Sequence, residues 1–298
     1  MTPPAFTRFG GTEVPLIPPE AAEIVVLPVC YEHAPSYGVG SGDGPYHILQ
    51  ASTQLERMDE ETLADWGLLK IHTREPLVPP PAPERAMAQI QAAASTVMAE
   101  GKFLMALGGD HAVSIGLIRA ASRAYPGVGV LQVDAHADLR QEWNGSPYNH
   151  ACVMRRVIED LGLPAVQVGI RSFSPEEAEF MAQRGLKPFF AHRIDGTNDN
   201  WVADAVAALP PTVYLTVDLD GLDPAVVPGT GTPEPGGLTY RQLVALIRHL
   251  GRLRRVVAAD VNELVKIEGT QVSEYTAAKI VTKIFVHCTG APHAADRR

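Results

Sequence analysis

The 298-residue chain predicts a three-layer α/β/α fold built on a doubly wound, mostly parallel sheet of about eight strands. Three observations carry that expectation. Short apolar, partly β-branched runs recur at 24–29, Phe103–Leu107, 128–133, 165–169, 213–217 and 255–261. Each is bounded by polar or Gly-rich sequence, and segments with helical periodicity lie between them. Strands covered on both faces read as unbroken apolar runs, and parallel neighbours need a long crossover, usually a helix.

Residues 1–20 are rich in Pro, Thr and Gly and are expected to wrap the surface or fray, with order starting near Glu23. The strand at 24–29 leads into a long polar loop, 31–44, that contains Gly38, Gly40, Gly42 and Gly44. A dinucleotide fingerprint needs G-x-G-x-x-G, but the sixth position is Asp43 counted from Gly38 and Pro45 counted from Gly40. The segment is therefore read as a flexible loop. A helix is expected over 45–57 and a short strand at 68–71. Pro79, Pro80, Pro81 and Pro83 form a stiff connector to a helix whose buried stripe is Ile90, Ala94, Val97 and Met98. The clearest helix covers 240–250: Thr239 and Gln242 make a capping box, Leu243, Leu246, Ile247 and Leu250 form the apolar face, and Gly251 is expected to end it. A similar amphipathic helix is expected over 275–288.

One domain is expected over 1–298, with mobile ends at 1–20 and 289–298, because no change of composition divides the chain. A hydrophobic content of 46% supports a sizeable core. A net charge of -9 with no Lys/Arg block argues against nucleic acid or an anionic membrane surface as partner. With no signal-like start and no apolar stretch long enough to span a bilayer, a cytoplasmic location is expected. Cys30, Cys152 and Cys288 are odd in number and far apart, which suits reduced thiols.

The chemistry follows three of the central runs. His111 lies after the first, Asp134, His136 and Asp138 after the second, and Asp218 and Asp220 after the third. The carboxyl ends of parallel strands share one edge of the sheet, so residues distant in sequence can converge there. A lone Asp after a strand is usually a turn residue or a helix cap, but three clusters at equivalent places point to a metal site. Four carboxylates and two imidazoles without a thiolate form a hard donor set that suits Mn²⁺ better than Zn²⁺. Two divalent cations would balance the four negative charges. An EF-hand starting at Asp218 is ruled out, since its sixth position is Asp223 and its twelfth is Gly229.

With these motifs in view, the chain resembles the ureohydrolase family, which includes arginase and agmatinase. The resemblance rests on Gly108-Gly109-Asp110-His111, on Asp134-Ala135-His136-Ala137-Asp138, and on Asp218-Leu219-Asp220-Gly221-Leu222-Asp223-Pro224. It implies two Mn²⁺ ions per chain, with Ni²⁺ or Co²⁺ as alternatives, and hydrolysis of a small guanidinium substrate to an amine and urea. One ion would be held by His111, Asp134, Asp138 and Asp218, the other by Asp134, His136, Asp218 and Asp220. His150 would carry a proton, Glu263 would bind the guanidinium group, and Asp138 would orient the nucleophile. A homotrimer or homohexamer is also implied.

Within the family, Gly169-Ile170-Arg171-Ser172, Glu176, Glu177 and the segment 150–156 look more like agmatinases. The expected reaction is thus agmatine to putrescine and urea, a step of polyamine biosynthesis, with arginase and guanidinobutyrase activities as alternatives. Leu264, Val265 and Lys266 depart from the family pattern, in which a small polar residue and Pro commonly follow the Glu. Tyr31, Glu32, His33 and the loop 36–44 are candidates to line the substrate tail. Two readings come from other classes. A mononuclear zinc deacetylase-like hydrolase is disfavoured by His111, a ligand for a second ion. A noncatalytic protein keeping the fold is disfavoured by the complete donor set.

Overall fold

The apolar runs form strands of one parallel, eight-stranded sheet in the computed structural model, which describes residues 5–194 and 200–290. The strands are β1 (Ile24–Pro28), β2 (Ile71–Thr73), β3 (Phe103–Leu107), β4 (Gly129–Val133), β5 (Ala165–Ile170), β6 (Phe189–Phe190), β7 (Thr212–Asp218) and β8 (Arg255–Asn262). Their order is β2-β1-β3-β8-β7-β4-β5-β6. Between β3 and β4 the chain skips over the places later filled by β8 and β7, and a crevice opens at the carboxyl ends of such a switch in direction.

The helices are α1 (Gly44–Ser52), α2 (Pro83–Ala99), α3 (Val113–Ala124), α4 (Val153–Arg155, widening into a π turn over Arg156–Asp160), α5 (Pro175–Arg184), α6 (Asn200–Ala207), α7 (Tyr240–Leu253) and α8 (Val272–Cys288). Side chains alternate across the strands, so each strand feeds both faces of the sheet. Val26, Met105, Leu131 and Leu215 pack with α1, α6, α7 and α8. Val25, Leu104, Val130 and Tyr214 pack with α2, α3, α4 and α5 on the opposite face. The three-layer expectation is met.

Several boundaries differ from expectation for local reasons. The strand expected at 68–71 starts at Ile71, because Asp65 accepts from Gly67 N and closes a 3₁₀ turn at Trp66–Leu68. The helix expected over 45–57 stops at Ser52, whose hydroxyl donates back to Leu49 O and accepts from Gly10 N. Gly251 does not end α7, which continues to Leu253. A Cβ at Gly251 would stand 2.0 Å from His287 O, so this glycine permits close packing of α7 on α8. Helix α8 begins at Val272, whose N–H is taken up by Thr270 Oγ1, earlier than the expected 275.

In the amino-terminal arm, expected to wrap the surface or fray, Phe9 and Val14 are buried in the core. Phe9 meets Trp66 and Phe285 edge-on. The expectations for residues 1–4 and 291–298 lie outside the described residues. Among the described residues the three cysteines are free, and no helix is long and apolar enough to cross a membrane.

Candidate metal centre

Two glycines bring the first donor to the crevice. A Cβ at Gly108 would sit 1.9 Å from Asn262 Oδ1, and one at Gly109 would sit 1.9 Å from Tyr31 O. This close approach leads the chain from β3 to His111, just ahead of α3. Asp134 directly follows β4, and Asp138 is turned inward by a left-handed backbone at φ 54°. Asp218 ends β7 and accepts from Asp220 N at 3.0 Å, which places Asp220 one short turn further on.

All six expected donors come together. His111 Nδ1 lies 3.0 Å from Asp134 Oδ2, 2.9 Å from Asp138 Oδ2 and 3.3 Å from Asp218 Oδ2. His136 Nδ1 lies 3.0 Å from Asp220 Oδ2 and 3.6 Å from Asp134 Oδ1. The ligand atoms of His111, Asp134 and Asp218 fall within 4.8 Å of one another, as do those of Asp134, His136 and Asp220. Asp134 therefore faces both groups. Five of the six donors are buried, and the His136 side chain, 27% exposed, marks the solvent side.

These residues fit a pair of divalent cations. His111 Nδ1 and Asp138 Oδ2 are buried without a hydrogen-bond partner although only 2.9 Å apart. His111 Nε2 lies 2.8 Å from the Thr216 hydroxyl. That hydroxyl also hydrogen-bonds Asp260, an acceptor, so it takes the imidazole N–H and leaves the Nδ1 lone pair for the cluster.

Without cations the cluster strains its own titration. Burial, then Asp220 and Asp134, hold the Asp218 carboxyl well above its ordinary range. Burial and Asp134 raise Asp138 to about 7. Burial opposes charge on His136, but Asp220 and Asp134 outweigh it and push this imidazole to about 12. Burial likewise opposes charge on Asp134, yet the adjacent His111 and His136 imidazoles hold it below the carboxylate range.

A polar row beneath the donors was not singled out as functional in the sequence. Gln167, Gln132, Thr216 and Asp260 are register partners across β5, β4, β7 and β8. Gln132 Nε2 donates to Asp134 Oδ2 at 2.7 Å, and Gln167 Nε2 donates to Gln132 Oε1 at 2.6 Å. Asp260 accepts from Tyr214 at 2.5 Å, Ser114 at 2.9 Å and Asn262 at 2.6 Å. The signal was present: Gln132, Thr216 and Asp260 each lie two positions before the end of the strand or its first ligand, where alternation demands a buried side chain.

Above the donors is a cavity of about 280 Å³, lined by His111, His136, Asp138, Asp218, Asp220, His150 and Glu263 and reaching exposed Tyr37 and Phe173 at the surface. Glu263 is also left-handed, at φ 66°, and its Oε1 accepts from His111 N at 2.7 Å. Burial, then the neighbouring Asp110 carboxyl, keeps its own carboxyl well above the ordinary range. His150 follows Asn149, which caps its turn by accepting from Ala151 N. Burial, followed by the nearby His136 and His111, lowers His150 to about 4.

The remaining named positions divide between cavity and scaffold. Pro35, Ser36, Tyr37 and Gly38 line the cavity, whereas Glu32 turns away to accept from Gly40 N, Ser41 Oγ and Gly42 N. Glu177 lines the cavity too, but its carboxylate is engaged by Leu139 N and Ser174, and Glu176 accepts from Gln141 N. Arg171 donates to the carbonyls of Gly169, Asp220, Gly221, Leu222, Glu234 and Pro235 and so staples the Asp220 loop to β5. Leu264 is buried behind Glu263, and a Cβ at Gly44 would meet its carbonyl at 2.7 Å. Val265 N donates to Gly229 O at 2.9 Å. Leu264 and Val265 thus fill the wall supporting Glu263, while Lys266 is exposed.

The fold and donor set define a hydrolase-type α/β protein with paired sites for divalent cations at a sheet edge. The sequence profile of the Arginase family matches residues 22–287, and the chain belongs to that family. It is a ureohydrolase similar to agmatinases. It is 39% identical over 271 residues to N(1)-aminopropylagmatine ureohydrolase of Synechocystis sp., with 88% of each chain covered. Agmatinase of Bacillus subtilis is 31% identical over 275 residues, covering 90% of this chain and 92% of that one. Among solved structures, agmatine ureohydrolase of Thermoplasma volcanium superposes with a TM-score of 0.83 at 29% identity, covering 96% of this chain and 95% of that one.

Proposed function

We propose that the protein hydrolyses the guanidinium group of a linear, amine-tailed guanidine to urea and an amine, with agmatine as first substrate and Mn²⁺ in both sites. The carrying observation is the meeting, at one cavity, of two donor groups that share Asp134 with a half-buried carboxylate, Glu263, suited to a planar cation. His111, Asp134, Asp138 and Asp218 would hold one ion, and Asp134, His136, Asp218 and Asp220 the other. When bound, such a pair lowers the pKa of water and polarises the group under attack.

The chain's own residues supply the rest. Glu263 keeps lone pairs free beside its bond to His111 N, so it can pair with guanidinium N–H groups in a two-point contact and fix the central carbon. The substrate's positive charge offsets the burial that otherwise raises this carboxyl above its ordinary range. Asp138, turned inward by its left-handed backbone, would accept a hydrogen bond from the attacking water. His150 delivers a proton to the leaving amine, whose release otherwise requires expelling a strong base.

A second reading has the relatives' names in its favour. Several of them are N(1)-aminopropylagmatine ureohydrolases, at 33–41% identity. The cavity reaches exposed Tyr37 and Phe173, leaving room for an extended tail. Urea release from agmatine, N(1)-aminopropylagmatine, arginine and guanidinobutyrate, each with Mn²⁺, Co²⁺ or Ni²⁺, separates these outcomes. Arginine as the best substrate would overturn the amine-tail reading, and no urea from any of them with both sites loaded would overturn the ureohydrolase reading.

A further inference from the structure

We propose that Ser36 is a positioning residue for His150, and that the indole N–H of Trp143 sets the Ser36 hydroxyl in place. The inference rests on the reading of His150 as the proton carrier. Ser36 Oγ lies 2.9 Å from His150 Nε2, and Trp143 Nε1 donates to the same oxygen at 3.3 Å. All three residues line the cavity, yet they come from two loops far apart in sequence.

Hydrogen-bond capacity decides the direction of the Trp143 contact. An indole N–H can only donate, so Trp143 occupies a lone pair of Ser36 Oγ. That leaves the Ser36 hydroxyl proton able to donate to His150 Nε2 at 2.9 Å, the direction we assign. In that direction the ring presents Nε2 as acceptor and carries its neutral-form proton on Nδ1.

The surrounding structure is arranged to keep Ser36 there. The Arg140 guanidinium lies 4.2 Å from the Trp143 ring centre and holds the indole plane. Asn144 Nδ2 donates to Ala34 O at 3.2 Å, tying the two loops together a second time. Both tie points have left-handed backbones, Ala34 at φ 53° and Asn144 at φ 50°. Such a conformation is unfavourable for alanine and persists only where neighbouring contacts impose it. On the other flank, Gly38 N donates to Gly231 O at 2.9 Å, and a Cβ at Gly38 would meet Gly231 at 2.9 Å. The loop carrying Ser36 is thus anchored on both sides.

The test compares Ser36→Ala, Ser36→Thr and Trp143→Phe with the unaltered Mn²⁺-loaded protein, measuring kcat, KM for guanidine, pH profile and bound metal. Losing one hydrogen bond that orients a proton carrier should lower kcat about fivefold to tenfold in Ser36→Ala, with KM for guanidine and metal content unchanged. Trp143→Phe should show a smaller fall of the same kind, and Ser36→Thr, which keeps the hydroxyl, should recover most of the rate. Because the Ser36 hydroxyl favours the neutral ring, its removal should move the basic limb of kcat to higher pH by about half a unit. An unaltered protein that releases no urea from any guanidine defeats the ureohydrolase reading. An active protein in which Ser36→Ala leaves kcat and the basic limb unmoved, raises only KM, or loses metal defeats the role given to Ser36, as does a Ser36→Thr no better than Ser36→Ala.

Discussion

Two buried clusters of charge stand in this molecule, and they handle the same difficulty differently. On the outer helices, Lys283 is fully buried against Asp59 at 2.5 Å and Glu60 at 2.9 Å, with Arg248 reaching Glu61 at 3.0 Å. Each charge there has its partner inside the chain. At the sheet edge, Asp134, Asp138, Asp218 and Asp220 face two imidazoles, and His111 Nδ1 and Asp138 Oδ2 have no hydrogen-bond partner. Taking charges out of water is costly unless opposite charge and hydrogen bonds offset it. The first cluster supplies both itself and so serves stability. The second supplies donors in excess of cations, which makes sense for a site that takes its positive charge from outside.

The sharpest way to break this contrast is to neutralise one member of each cluster. Asp218→Asn should lose metal and lower urea release about a thousandfold or more, since metal-assisted hydrolysis contributes several kcal/mol to the barrier. The same change should leave the metal-free protein as stable as before or slightly more so, because it removes a carboxyl crowded by Asp220 and Asp134. Thermal unfolding in chelator checks this, and a large loss of stability there would mean that Asp218 is a structural group.

Lys283→Met should do the reverse. Removing the cation strands Asp59 in the interior, at a cost of about 3 kcal/mol, while urea release per folded molecule stays unchanged. Denaturant unfolding measures the first and activity normalised to folded protein the second. Adding Asp59→Asn should recover part of the loss, because the stranded charge is then gone.

The two clusters also differ in how legible they were. The donors could be read because each follows an apolar run whose end is fixed by the same alternation that builds the sheet. Gln132, Thr216 and Asp260 carried the same signal, as polar residues breaking apolar strands at buried positions, but their partners lie on other strands and appear only once the register is known. Ser36, Trp143 and His150 meet through loop conformations that no periodicity encodes. Gly251 misled because a glycine near a helix end reads as a terminator, whereas its lack of a side chain is used here for contact with another helix. Lys283 sits on a helix that helical periodicity can place, but the loop carrying Asp59 cannot be placed from its own sequence.

Proton linkage gives the finest discrimination between the clusters. Burial works against the Asp59 charge, but the Lys283 hydrogen bond outweighs it and holds this carboxyl at about 2, while Lys283 is raised above its usual value. The stability from this pair is complete above the ordinary carboxylate range and is lost only as pH falls through about 2 or rises past the lysine, so it is flat between pH 6 and 8. The metal-free centre behaves otherwise. Against the effect of burial, carboxylates raise His136 to about 12, and burial and Asp134 raise Asp138 to about 7. An ion must displace protons from such groups, because imidazole ligates through a neutral nitrogen and carboxylate through its ionised form. Apparent Mn²⁺ affinity should therefore rise with pH over this range, about tenfold per unit for each proton released. Calorimetric titration in buffers of different ionisation enthalpy counts those protons directly. Release of none would show that the centre stands deprotonated before the cation arrives, and the contrast between the two clusters would lose its electrostatic basis.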